Sequence, residues 1–272
     1  MHGISVVIPT CGRPAPLQRA LAAVRAQTLA PLEIIVVDDA PSPEAAVPGD
    51  AVAAPARLIA NPRARRPSAA RNAGAALAGG EWLAFLDDDD EWLPDYLASA
   101  AALFAAAPLD ALCTDLVYRY DDGSERPGKR APDELVTDEF LLRNPGLIGS
   151  NVIVRRATYA ALGGFDESLR TSEDIDFGLR LSLHPGLRYA PLHQPLVRHY
   201  QHQQDRLCTR RGDAMRDGVR RFYALHGARM NAAQRDSYRV AVRQLWGVDE
   251  FGRDVEDSEN AVHTKDTMGN EG

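Results

Sequence analysis

The chain has 272 residues, 45% hydrophobic and 25% charged, with a formal net charge of -7. That is enough apolar material for one large or two small soluble globular cores, and it excludes a fibrous or wholly disordered chain. The acidic balance excludes a surface that gathers nucleic acid through its overall field, so an anionic substrate must be held locally. Cys11, Cys113 and Cys208, odd in number and far apart, fit neither a disulfide framework nor a zinc site and read as free thiols of a reducing cytoplasm. No apolar run approaches the ~18 residues that span a bilayer, and the first strand begins almost at the N-terminus, so neither secretion nor membrane insertion is expected.

In chain order, the first half alternates short β-rich apolar runs with alanine-rich helical stretches. ISVVIP (4 to 9) precedes a helix at about 15 to 27, and EIIVVD (33 to 38) and RLIAN (57 to 61) precede one at about 68 to 78. WLAFLD (82 to 87) leads into a helix at about 94 to 107. Continuous apolar runs separated by helices predict an α/β fold with a parallel sheet covered on both faces, whose ligands bind at the carboxyl ends of the strands. Each run ends in polar residues: Thr10 and Arg13, Asp38 and Asp39, Asn61, then Asp87 to Asp90. One cleft would collect them. From about 110 the pattern changes to DALCTDLVYRY, a charged turn (121 to 129), the run SNVIV (150 to 154) and helices near 155 to 162 and 174 to 184, a mixed α/β half packed on the first. Residues 206 to 246 read as a helical arm rich in arginine, including Arg210, Arg211, Arg216, Arg220 and Arg221. These arginines form a solvated face, or at most a peripheral contact with an anionic membrane. Residues 247 to 272, polar and acidic, are expected to be disordered.

The strongest chemical signal is FLDDDDEW (85 to 92), a strand that runs into four consecutive carboxylates. Like charges so close repel, and a cation is one reason to tolerate them; a solvated acidic turn or a helix cap is the other. Oxygen-only donors favour Mg²⁺ or Mn²⁺ shared with substrate phosphates. EIIVVDDA (33 to 40) places Asp38 and Asp39 where they can accept from a nucleobase or ribose, or cap a turn. No G-x-G-x-x-G follows the first strand, which disfavours a dinucleotide reader. PSAARNAG (67 to 74) puts Arg71 early in a helix, behind the loop arginines 63, 65 and 66, suited either to a diphosphate or to an ion pair with the acidic cluster. GGFDESLRTSEDIDFGLRL (163 to 181) sets Glu173 and Asp174 at a helix start, as caps or as a base for an acceptor hydroxyl. LVRHYQHQQDR (196 to 206) places His199 and His202 in a polar segment after a strand, and Trp82, Trp92 and Trp246 read as core or rim packing rather than as a sugar platform, for which Trp92 beside the acidic cluster is the best candidate.

Taken together and in order, SVVIPTCGRP, EIIVVDDA, ARNAG, FLDDDDEW, GGFDE and SEDIDFGLRL closely resemble the signature series of family-2 glycosyltransferases of the GT-A fold, over about residues 3 to 205. The resemblance implies a Rossmann-like, mostly parallel sheet with a nucleotide-sugar-binding half (1 to 109) and an acceptor half (110 to 205). It implies that Pro9, Thr10, Arg13, Asp38, Asp39 and Arg71 line the nucleotide pocket, joined by Asp87 and Asp88. Asp87 and Asp89 match the D-x-D motif, with Asp89 the direct ligand of Mn²⁺ or Mg²⁺. Asp174 matches the general base, with Glu173 its neighbour. His202 aligns with the late histidine of the metal and diphosphate site, with His199 as rival, because Tyr200 stands where arginine is frequent. Ser150 and Asn151 fall near the acceptor side, with residues 121 to 146 as a lid.

The implied reaction is a single inverting displacement that moves a sugar from a nucleotide diphosphate sugar, UDP favoured, to a hydroxyl of a glycan, lipid-linked or small-molecule acceptor. In it Asp174 takes the proton while the metal and Arg71 neutralise the diphosphate. The expected setting is cell-envelope polysaccharide synthesis in the cytoplasm. A non-catalytic nucleotide-sugar-binding module would share everything up to Asp174. A sugar nucleotidyltransferase would need a glycine-rich phosphate loop that SVVIPTCGRP does not supply.

Overall fold

The computed structural model describes residues 3–61, 66–201 and 213–253. The apolar runs become β1 (Ile4–Thr10), β2 (Glu33–Asp38), β3 (Ala56–Ala60) and β4 (Trp82–Phe85). β1, β2 and β4 are buried almost throughout, as Val- and Ile-rich strands of a parallel sheet are when both faces are covered. Helix α1 (Pro14–Arg25) opens on proline, and so does α2 (Pro67–Leu77), where the missing N–H costs nothing and φ is already helical. Next come β5 (Glu91–Trp92), α3 (Tyr96–Ala106), β6 (Ala111–Tyr120), β7 (Glu125–Pro127) and α4 (Thr137–Leu142). They are followed by β8 (Val152–Arg155), α5 (Arg156–Ala161), α6 (Glu173–Ser182), β9 (Tyr189–Gln201), α7 (Asp213–His226) and α8 (Ala232–Trp246).

The strands form one sheet in the order β3-β2-β1-β4-β8-β6-β9-β5, with β7 added on β6. β1 to β4, β6 and β9 run one way, and β8, β5 and β7 the other, so the sheet is mixed but mostly parallel. Because Thr10 pairs with Asp38 and Asp38 with Ala60, the carboxyl ends of the first three strands share one edge, beside the segment that leaves β4.

Strand alternation divides the core between the two faces. Val7, Ile35, Val37, Leu83 and Phe85 meet Ala70 of α2, Phe140 of α4 and Phe177 of α6. Val6, Ile8, Ile34, Val36 and Ala84 meet Leu17 and Leu21 of α1 and Leu97 of α3. Three expectations change here. The helical arm shares the first of these cores through Met215, Val219, Phe222, Tyr238 and Val242, because its apolar stripe needs an apolar partner. Residues 247–253, placed in the expected tail, pack against the protein, since Val248 is buried in the same core and Glu250 accepts from Nε of Arg239 at 2.7 Å; residues 254–272 lie outside the described set. Residues 121 to 146 do not form a free lid, since β7 pairs with β6 and Phe140 is buried against Gly178 of α6. Cys11 and Cys113 are free thiols, and Cys208 lies outside the described residues. Among the described residues no helix is long and apolar enough to cross a membrane.

Candidate functional site

The strand ends deliver their carboxylates to one edge, and the tertiary structure gives each a different task. Asp38 is bound to backbone: Oδ1 accepts from N–H of Gly12 at 2.9 Å and of Ala40 at 3.1 Å, and Oδ2 from N–H of Val47 at 2.5 Å. It ties together the loops around the site, because β1 and β2 end side by side and leave these amides without strand partners. Asp39 is also buried, yet its Oδ1 has no hydrogen-bond partner. Burial, then the neighbouring charges of Asp38 and Glu167, outweigh a hydrogen bond from the Arg66 amide and push its carboxyl up to about 6. Pro9 lies in β1 opposite Val37 and carries the strand into this corner.

In the acidic segment Asp88 is the most enclosed of the first three carboxylates. Thr10 Oγ1 donates to its Oδ2 at 2.6 Å, Arg13 Nε does so at 3.1 Å, and Arg13 Nη2 bonds its Oδ1. Arg13 reaches Asp89 as well, Nη1 to Oδ2 at 3.2 Å. Burial pushes the Asp88 carboxyl up to about 7, against the pull of Arg13 and Thr10. Asp87 receives Arg71 Nη2 at 2.5 Å and donates its N–H to Ser150 Oγ at 3.1 Å. Asp90, buried, accepts from the ring of His199 at 2.9 Å. His199 therefore sits on β9 itself, not after it, and touches the acidic segment; His202 lies outside the described residues, as do Arg63 and Arg65.

Arg71 is 2% exposed and stands between two acidic groups, Asp87 and Glu173, the latter 3.3 Å from Nη1. Its guanidinium covers the Phe165 ring at 5.0 Å and packs on Gly149, where a Cβ would come within 2.9 Å of Nη2. Burial opposes its charge, but Asp87, Asp174 and Glu173 outweigh that and hold it firmly protonated. Arg71 thus makes the ion pair with the acidic cluster that its sequence position also allowed, and it holds Asp87 and Glu173 together. Asp174 begins α6 with Glu173, and its Oδ1 is buried without a partner while the Gly149 amide reaches the carboxyl. Burial first, then the charge of Glu173, raise its pKa well above the ordinary carboxylate range.

The three residues expected on the acceptor side are buried. Trp92 is buried, packs on the Tyr96 ring at 4.7 Å and donates its indole N–H to the Ser150 carbonyl at 2.8 Å. Asn151 donates to the carbonyls of Thr114 and Gly146 at 2.7 and 2.9 Å. Ser150 and Asn151 are fully buried because β8 inserts next to β4 and carries the turn before it under the acidic segment. A sequence alone offers no sign of this, since β8 is distant in the chain from both neighbours.

Of the expected cation donors, Asp87 and Asp89 offer carboxylate oxygens, and His202 lies outside the described residues. Among the described residues no three or more His, Cys, Asp or Glu are grouped to hold a metal. Mg²⁺ and Mn²⁺ need only one or two carboxylates when phosphate and water complete the shell. Asp89, its side chain 29% exposed, with Asp87 beside it, fits that role.

Comparison with known proteins agrees with this geometry. The family model described as Glycosyl transferase family 2 matches residues 5–163. An uncharacterized glycosyltransferase of Haemophilus influenzae is 29% identical over 202 residues, 71% of this chain and 67% of its own length. The succinoglycan biosynthesis protein ExoO of Rhizobium meliloti is 33% identical over 57% of this chain and 49% of its own. The chain thus spans from about half to two thirds of these relatives. The crystal structure of S. aureus TarS 1-349 in complex with UDP-GlcNAc superposes with a TM-score of 0.64 at 17% identity, covering 98% of this chain and 76% of that one. With a family match over more than half its length and the sheet of those structures, the chain belongs to glycosyl transferase family 2 and has the GT-A fold.

Proposed function

We propose that the protein transfers a sugar from a nucleoside diphosphate sugar, a UDP-sugar by preference, to a hydroxyl acceptor with inversion, in the synthesis of an envelope polysaccharide or glycoconjugate. One observation carries this reading. Two carboxylates, Asp39 at the end of β2 and Asp174 at the start of α6, each keep a buried oxygen with no donor. Such an oxygen is costly unless a ligand completes it. Hydroxyls and N–H groups of a nucleoside suit the first, and the acceptor hydroxyl suits the second. Solved structures of TarS with UDP-GlcNAc and with UDP, and relatives named for succinoglycan and amylovoran biosynthesis, support the donor class and the setting.

The chain's own part in the mechanism follows. Asp174, with its raised pKa, takes the acceptor proton as the oxygen attacks, a task worth roughly 10²- to 10⁴-fold. Arg71 keeps Asp87 and Glu173 in place so that both ends of the reaction share one frame. Arg13, half exposed at the start of α1, is the cation that faces the departing diphosphate. Asp89, with Asp87, would hold a Mg²⁺ or Mn²⁺, which when bound would supply further positive charge at those oxygens. The test is thermal stabilisation by UDP, GDP, dTDP, ADP and CDP, with and without Mn²⁺, for the wild type and Asp89→Ala. A shift for one nucleotide that needs both metal and Asp89 is expected, about 2.7 kcal/mol at a hundredfold excess over Kd. No metal-dependent shift with any of them removes the reading.

A further inference from the structure

The entry to α6, which presents the proposed base, is strained. Ser172 has φ 66°, and among the described residues it is the one non-glycine with a positive φ. A side chain held there persists only where the surroundings over-determine it. Helix α7 supplies that restraint on both sides of Asp174. On one side Gly218 lies so close that a Cβ would come within 1.9 Å of Thr171 Oγ1. Two turns further along, about 12 Å of helix, His226 Nε2 lies 2.8 Å from Asp176 Oδ1.

Asp176 is 1% exposed, and its other oxygen takes Arg180 Nε at 2.8 Å and Nη2 at 2.6 Å. Arg180 Nη1 donates in turn to the carbonyls of Leu162 and Gly164, the turn before the base, at 2.8 Å each. Burial disfavours the Asp176 charge, yet the bonds from His226 and Arg180 hold its pKa below the ordinary value. His226 is itself buried, and its Nδ1 has no partner among the described residues. A carboxylate only accepts, so the proton of this ring sits on Nε2 and serves Asp176.

We propose that α7 is a brace for the catalytic end of α6, fixed at Gly218 and His226, and that His226 is a positioning residue for the base. The proposal rests on the reading of Asp174 as that base. It makes the arm, which lies beyond the 5–163 family match, part of the working unit of the enzyme.

The experiment compares His226→Gln, which keeps a donor at the reach of Nε2, with His226→Asn, which does not. Val219→Ala, a buried deletion on the same helix, controls for lost stability, and Asp174→Asn runs in parallel. All are full-length chains. Hydrogen exchange over residues 170–178 is read together with kcat and KM for UDP release from UDP-GlcNAc with water as acceptor. His226→Asn should speed exchange at the start of α6 and lower kcat on the order of 10- to 100-fold, with KM unchanged. His226→Gln should restore most of both, and Val219→Ala should lose stability but keep kcat. Unchanged α6 exchange in His226→Asn, or kcat that tracks stability alike in the His226→Asn and Val219→Ala chains, overturns the brace. If Asp174→Asn keeps its kcat, the base reading falls instead, and the exchange data alone judge the brace.

Discussion

Arg71 and Glu173 lie 102 residues apart in the chain, yet Nη1 of the one is 3.3 Å from Oε1 of the other, with Asp87 on the second Nη. A single enclosed guanidinium therefore joins the end of β4 to the start of α6. Arg71→Met should remove about 3–5 kcal/mol of stability, because it leaves Asp87, Glu173 and Asp174 facing one another without a cation. Arg71→Lys should recover little, since a point charge cannot reproduce the fork. Urea denaturation decides it: a loss below about 1 kcal/mol, the worth of a surface ion pair, would mean that the bridge does not hold the site.

Asp174→Asn should lower kcat by roughly 10²- to 10⁴-fold while the UDP-induced thermal shift stays as in the wild type. The base works ionised, and burial with the Glu173 charge raises its pKa, so activity should fall as pH drops through a point well above the ordinary value of about 3.9. A pH profile flat down to that ordinary value would assign the proton to another group.

Asp39 provides a second pH test. Its carboxyl is pushed up to about 6 by burial, so the folded protein prefers it protonated. Its contribution to stability is thus largest below the ordinary carboxylate pKa and is lost as pH rises to about 6. Melting temperatures of wild type and Asp39→Asn should diverge in favour of the variant between about pH 4 and 7, while the variant binds UDP more weakly. A constant difference across that range would show that burial does not perturb this group.

Trp92→Phe should cost about 1–3 kcal/mol, because the Ser150 carbonyl loses its buried donor. Nucleotide affinity should not change. If sugar-nucleotide binding weakens while stability holds, the indole is a platform after all.

The sequence by itself determined the β-rich runs, their polar termini and the order of the motifs, because strand burial and helix periodicity are local patterns and each chemical residue follows its own strand. Local context marked the acidic groups 38 to 39, 87 to 90 and 173 to 174, and only the family resemblance singled out Asp39, Asp89 and Asp174 within them. The sheet order β4-β8-β6-β9 could not be read locally, since it depends on pairings between residues 39 to 81 positions apart. That order decided that Trp92, Ser150 and Asn151 are buried and that His199 meets Asp90, while the side-by-side ends of β1 and β2 decided that Asp38 binds backbone and Asp39 keeps an oxygen open. It also decided that Arg71 and His226 work on carboxylates. A carboxylate's role is set by which donors reach it, and those donors arrive from distant parts of the chain only when the cores on the two faces of the sheet close.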